Sequence, residues 1–258
     1  MRYSPADMKT FEHSRPAAAP THVDQGLDVG RIRAITIDLD DTLWPIWPTI
    51  ARAELVLQAW LDERAPATAA LSRDNNTLRE VRNQMVTLRP DLAHDLSALR
   101  RESIRRLLNQ AGDDPALAEP AFEAFFAERH RVELFEDALP ALQRLASRFP
   151  VVALSNGNAD VHRVGLGEHF HAALSAQKFG VAKPDVRIFQ AGAEAAGVGA
   201  HEVLHIGDDA HLDGVGAIDA GMQFAWVRRE GQAWDHAPRQ PHLTLSDLRD
   251  VCVLLNLV

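Results

Sequence analysis

Apolar positions recur along this chain in two different rhythms. In the second half, short apolar runs alternate with helical stripes: Val151-Val152-Ala153-Leu154, Val203-Leu204-His205-Ile206 and Phe224 to Val227 read as buried strands, and an earlier run, Ile32 to Ile37, reads the same way. Between these runs lie a helix from Leu139 to Phe149, a helix opened by Pro184 that carries Ile188, Phe189 and Ala193, and a small-residue helix from Gly216 to Gly221. From about Thr49 to Leu134 only the helical rhythm is present. Its stripes are Leu55, Leu57, Trp60 and Leu61; Leu78, Val81, Met85 and Leu88; Leu96, Leu99, Ile104, Leu107 and Leu108; then Phe122, Phe125 and Phe126. Breakers at Pro66, Pro90 and Gly112 to Pro115 separate them. Trp44-Pro45-Ile46-Trp47-Pro48, with its two prolines, predicts an extended connection into this block.

Strands alternating with helices predict an α/β fold, a Rossmann-like parallel sheet with helices on both faces. The all-helical block is an insertion after the first strand. The expected organisation is an N-terminal extension over 1–30, a core formed by 31–46 and 135–258, and a helical insert over 47–134. Residues 1–30 are polar and Pro/Ala-rich without a signal-peptide core, and read as a flexible extension.

Composition narrows the function. The chain has 258 residues, 46% of them hydrophobic, enough for a sizeable core. A formal charge of −9 argues against general nucleic-acid binding, and no apolar run is long enough to span a membrane. Cys252, the single cysteine, cannot form an internal disulfide, so a reducing compartment, the cytoplasm, is expected. Monomer and homodimer both remain open.

The most informative stretch is Asp38-Leu39-Asp40-Asp41-Thr42, three carboxylates crowded at the end of the first strand. Asp38 and Asp40 point the same way, because side-chain direction repeats every two residues. The carboxyl end of a parallel strand is where an open α/β sheet places its ligand site. Alone, Asp-Asp-Thr is equally a turn with a helix cap. Further along, Ser155-Asn156-Gly157 offers a hydroxyl, an amide and free N–H groups, although that triplet is more often only a turn. Lys183 is one of three lysines, with Lys9 and Lys178, and stands just before a helix start. Asp208, Asp209 and Asp213 add three acids beyond another strand end. Such repulsion calls for a hard cation, and all-oxygen ligation suits Mg²⁺. His205 reads as a packed core histidine, and Arg100, Arg101, Arg105 and Arg106 as a solvated helix face. Val164-Gly165-Leu166-Gly167 follows no strand directly and is not a nucleotide loop.

Taken in order, these pieces resemble the four motifs of the haloacid dehalogenase-like superfamily: Asp38-Leu39-Asp40-Asp41-Thr42, Leu154-Ser155-Asn156-Gly157, Lys183-Pro184, and Gly207-Asp208-Asp209 through Asp213. The helical insert sits where that family carries its first type of cap. The resemblance implies that Asp38 is the nucleophile and Asp40 the proton carrier. It further implies that Ser155, Asn156 and Lys183 hold phosphate, and that Asp38, Asp208 and the main-chain carbonyl of Asp40 bind Mg²⁺. Asp213 would support Lys183 or metal-bound water, and Asp209 either role. A carboxylate two residues past the nucleophile points to phosphoryl transfer over dehalogenation. The insert from Thr49 to Leu134 contains no lysine for a phosphonatase-type Schiff base. A phosphatase acting on a small-molecule phosphate ester therefore leads, with a phosphomutase or a non-catalytic binding module as alternatives. Leu154-Ser155-Asn156-Gly157-Asn158-Ala159, Leu204 to Asp209 and Ala220 to Gln223 with Trp226 are most similar to the bacterial riboflavin-pathway and flavin mononucleotide phosphatases, beside those of sugar and nucleotide phosphates. For a flat ring, Trp44 and Trp47 are the candidate stacking platforms, with linker anchors as the plainer role.

Overall fold

A computed structural model describes residues 23–229 and 232–257. Its seven strands are β1 (Val23–Asp24), β2 (Ala34–Ile37), β3 (Val151–Ser155), β4 (Ala172–Ser175), β5 (Val203–Gly207), β6 (Gln223–Val227) and β7 (Leu243–Leu245). They form one sheet in the order β1-β7-β6-β5-β2-β3-β4, parallel throughout except for the antiparallel edge strand β1. The strand read first in the sequence lies between β5 and β3, with Ile37 level with both Ile206 and Ala153. All four residues of β2 are buried, as suits a parallel strand covered on both faces. Ile35 and Ile37 join the apolar cluster on one face, while Ala34 joins the other. Helices α6 (Ala138–Ala146) and α11 (Leu248–Leu254) pack on the first face. Helices α9 (Val186–Ala195) and α10 (Gly216–Asp219) pack on the second, and the short α7 (Val161–Val164) and α8 (Ala176–Phe179) follow β3 and β4.

Between β2 and α6 the chain is helical, as α1 (Ile46–Arg64), α2 (Pro66–Ser72), α3 (Asn75–Leu88), α4 (Leu96–Ala111) and α5 (Ala118–Arg129). Here Ala53, Leu57, Leu61, Ile104, Leu108, Phe122 and Phe125 form a third apolar cluster. The stripe predicted from Leu55 is shifted: Leu57 and Leu61 are buried but Leu55 is exposed.

Several local expectations need correction. Trp44 to Pro48 is not wholly extended, because α1 already starts at Ile46. The Asp41 carboxylate accepts the Ile46 N–H at 2.8 Å, and Pro48 falls in the first turn, where its missing N–H has no helical partner to lose. Helix α9 begins at Val186, capped by Asp185 through the Arg187 N–H, and not at Pro184. Three strands gave no clear signal: β4, whose residues are only partly buried, and the short β1 and β7. Val23 and Asp24 pair with Thr244 and Leu243, so the extension expected over 1–30 meets the sheet before its end. Its first 22 residues lie outside the described residues. No helix among the described residues is long and apolar enough to cross a membrane.

Phe122 has no exposed surface and packs with Phe125, Phe126 and the Arg101 guanidinium. Phe122→Ala is expected to lower the unfolding free energy by about 3–5 kcal/mol, measured by urea denaturation.

Candidate active site

The carboxyl ends of β2, β3 and β5, with the segment leading into α9, converge on one buried group of charges. Lys183 Nζ donates to Asp38 Oδ1 and to Asp213 Oδ1, both at 2.6 Å, and all three residues are buried. Oxygens of Asp38, Asp208 and Asp213 lie within 4.8 Å of one another. Thr42 donates its hydroxyl to Asp208 Oδ1 at 3.0 Å, and the Trp226 indole N–H donates to the Asp208 carbonyl at 2.8 Å.

Neighbouring groups fix this arrangement. Asp213 returns beneath Lys183 on a π-helical turn, Ala210–Val215, whose first N–H groups are capped by Asp209. Asp213 also accepts the Asp209 N–H at 3.1 Å. Gly207 allows this approach, since a Cβ there would stand 2.4 Å from the Asp213 carboxyl. His205 joins Thr36 Oγ1 at 2.8 Å to Asp213 Oδ1 at 3.0 Å, so the predicted core histidine is also a strut. Burial holds its pKa below the ordinary imidazole value, against the pull of Asp213.

The electrostatics separate three neighbouring carboxylates, two of which share one ammonium. Burial raises Asp38 to about 7, although Lys183 opposes the shift. Burial, followed by the charges of Asp213 and Asp38, raises Asp208 to about 9. Burial also pushes Asp213 up, yet Lys183 and His205 together outweigh it and bring Asp213 to about 2. Burial lowers the Lys183 pKa, but Asp213 and Asp38 overcome it and the ammonium is raised. Asp213 is thus held ionised by its neighbours, whereas at Asp38 and Asp208 burial outweighs the available donors and opposes the charged form. A hard dication fits this all-oxygen donor set.

Asp40 stands beside this cluster with its own donors. Arg129 Nη2 lies 2.7 Å from both of its oxygens, and Trp44 Nε1 donates to Oδ1 at 2.8 Å. Gly157 passes so close that a Cβ there would meet Asp40 Oδ2 at 2.3 Å. Trp44 is fully buried and therefore cannot be a stacking platform: its ring packs in the core and its N–H orients Asp40. Trp47 is 73% exposed in the first turn of α1. The Asn156 side chain is turned to the Lys183 main chain. Its Nδ2 donates to the Lys183 carbonyl at 2.9 Å and its Oδ1 accepts the Lys183 N–H at 2.7 Å, a two-point clamp on that main chain. Ser155 Oγ accepts the Gly157 N–H at 2.9 Å, which leaves its own hydrogen for donation.

Two clefts lie nearby, the first of which reaches Ser155. One of about 300 Å³ is lined by Ser155, Asn158, Phe126, Arg163 and Lys178. The other, about 230 Å³ and mostly apolar, is lined by Ile50, Leu96, Leu99 and Phe125 of the insert and shares Asn158 with the first. Asn158 also donates to Ser97 Oγ of α4 at 3.1 Å. The expected solvated arginine face is paired: Arg100 with Glu54, Arg101 with Glu119, and Arg105 with Glu102. Sequence reasoning missed Arg129. The available signal was a charge at the next step of the Phe122, Phe125, Phe126 stripe, where an apolar residue was due.

Lys183→Met leaves Asp38 and Asp213 buried without their shared cation. It is expected to lower the unfolding free energy at neutral pH by about 3–5 kcal/mol in urea denaturation; a value near that of the natural chain would mean that the ammonium bridge carries little stability.

The geometry agrees with what the chain is similar to. Residues 32–221 match the family of haloacid dehalogenase-like hydrolases. The 5-amino-6-(5-phospho-D-ribitylamino)uracil phosphatase YigB of Escherichia coli K12 is 34% identical over 235 residues, 88% of this chain and 98% of that protein. A phosphoserine phosphatase of Thermus thermophilus is 35% identical over 59% of this chain and 63% of its own. Among solved structures, a 2-haloacid dehalogenase from Pseudomonas syringae pv. tomato DC3000 superposes with a TM-score of 0.82 at 38% identity, covering 87% of this chain and 98% of that one. With phosphatases among these relatives and four motif segments meeting at one buried charge cluster, the chain belongs to the haloacid dehalogenase-like hydrolases and is a hydrolase of phosphoric monoesters.

Proposed function

We propose that the protein is a Mg²⁺-dependent phosphomonoesterase that works through an aspartyl-phosphate on Asp38. The observation that carries this reading is Asp40, two residues beyond Asp38 and held by Arg129 and Trp44. Hydrolysis of a phosphate ester needs a proton for the departing alcohol, and later a base for the attacking water. Displacement of a halide needs no such proton. Asp38 Oδ would attack phosphorus, covalent catalysis by a carboxylate. Asp40 would give its proton to the ester oxygen and then take one from water. Lys183 spends two of its three N–H donors on Asp38 and Asp213 and keeps one for a phosphate oxygen. The Ser155 hydroxyl supplies another donor. Asp38, Asp208 and the Asp40 main-chain carbonyl would hold Mg²⁺. When bound, the ion supplies positive charge that offsets the repulsion between carboxylate and phosphate.

The similarity to YigB supports 5-amino-6-(5-phospho-D-ribitylamino)uracil as the substrate; flavin mononucleotide, which carries the same ribityl phosphate, is the other candidate. The dehalogenase superposition supports a second reading, displacement of halide from a 2-haloacid by Asp38.

Release of phosphate from p-nitrophenyl phosphate tests the reading. Activity is expected with Mg²⁺, with loss on chelation, and no chloride release from 2-chloropropionate. Asp38→Asn should abolish turnover, and Asp40→Asn should lower kcat about 10²–10⁴-fold. The opposite pattern, halide release without phosphatase activity, favours the second reading. Gly157→Ala would drive a methyl group into Asp40 and is expected to reduce kcat about 100-fold. Far-ultraviolet circular dichroism should stay unchanged; full activity in this variant would mean that Asp40 needs no fixed position.

A further inference from the structure

Arg129 is the most buried guanidinium at the site, 1% exposed at the end of α5. It meets Asp40 end-on, one nitrogen serving both oxygens, instead of through the two-nitrogen fork that arginine usually offers a carboxylate. Its other terminal nitrogen, Nη1, is buried and finds no acceptor among the described residues. A buried donor without a partner is unfavourable and rare in folded proteins. Here the unmet donor shares a rigid plane with the nitrogen that holds the proposed proton carrier.

That placement selects a substrate feature. To receive a proton, the ester oxygen must come within hydrogen-bond reach of Asp40. With the ester oxygen there, a substituent on the carbon next to the ester carbon would be the substrate group nearest the Asp40-bound guanidinium. Nη1 can only donate, so the substituent must be an acceptor. It should also be neutral, because the carboxyls of Asp38, Asp208 and Asp213 crowd the same site and disfavour a further anion. We infer that Arg129 is a specificity-determining residue whose Nη1 receives a hydroxyl oxygen on the carbon adjoining the phosphate ester, so that polyol phosphates are preferred over simple alkyl phosphates. This assignment rests on the phosphatase reading. A sugar-alcohol chain carries such a hydroxyl. Phosphoserine carries an amino-bearing carbon at the same position and offers no neutral oxygen there.

The test compares kcat/KM for glycerol 3-phosphate with that for n-propyl phosphate, in the natural chain, Arg129→Lys and Arg129→Gln. Lysine keeps a cation for Asp40, but its single nitrogen, engaged there, places no donor at the Nη1 position. The natural chain is expected to prefer glycerol 3-phosphate by about 10–100-fold, chiefly through KM, as one buried hydrogen bond allows. In both variants the ratio should fall towards unity, whatever the loss of kcat common to the two esters. Equal rates on both esters in the natural chain, or a preference retained in Arg129→Lys, would overturn the assignment; the first comparison needs no variant to fold. Absence of p-nitrophenyl phosphate hydrolysis would instead overturn the phosphatase reading, and the assignment with it.

Discussion

The site depends on one buried ammonium between two carboxylates. Lys183 bridges Asp38 on one strand end and Asp213 on the turn beyond another. A buried charge without its partner is costly, so each member of this group holds the others in place. The constraint spreads outward through hydrogen bonds. Asn156 clamps the main chain that carries Lys183, His205 and Thr36 brace Asp213, and Gly207 gives Asp213 room. Strands β2, β3 and β5 are neighbours in the sheet, so their carboxyl ends are already within reach of one another. Ion pairing then sets the final geometry.

The shared ammonium does not serve its two carboxylates equally. Asp213 also has His205 and the Asp209 N–H, and its acidity is strengthened to about 2. Asp38 has Lys183 against burial and the charges of Asp213 and Asp40, and rises to about 7. One carboxylate is held ionised by the lysine and the histidine, while the other, bonded to the same lysine, has its charged form opposed by burial and by its acidic neighbours. Similar groups in dissimilar surroundings take different roles. Here the surroundings favour Asp38 and Asp208 as the pair that accepts a cation, with Asp213 as its support.

The sequence was most legible where the chemistry required unusual residues. Carboxylates after an apolar strand, a scarce lysine before a proline and an acidic run after a second strand marked the strand ends that meet. Periodicity revealed the helical insert but misplaced its first helix, because the capping role of Asp41 across five residues is a tertiary feature that two prolines obscured. Strand β4 escaped because it is half exposed and only four residues long. Side-chain direction was the least legible property. Nothing in its motif indicated that the Asn156 amide closes on a backbone segment 27 residues away. Trp44 looked like a platform because indoles stack, yet its ring is sealed in the core.

Asp40 is also where the insert is tied to the sheet. The chain leaves the core through Trp44, whose indole N–H bonds Asp40, and returns past Arg129, whose guanidinium bonds the same carboxylate. Between them, Asp41 caps the first helix of the insert. Both connections and the helix cap therefore act on two consecutive residues. A helical block joined to the core in another orientation would deprive Asp40 of the Arg129 donor even with the β2 strand unchanged. The insert is thus more than a cover over a finished site: the position of the proposed proton carrier is set jointly by the sheet that bears it and the helices that bracket it.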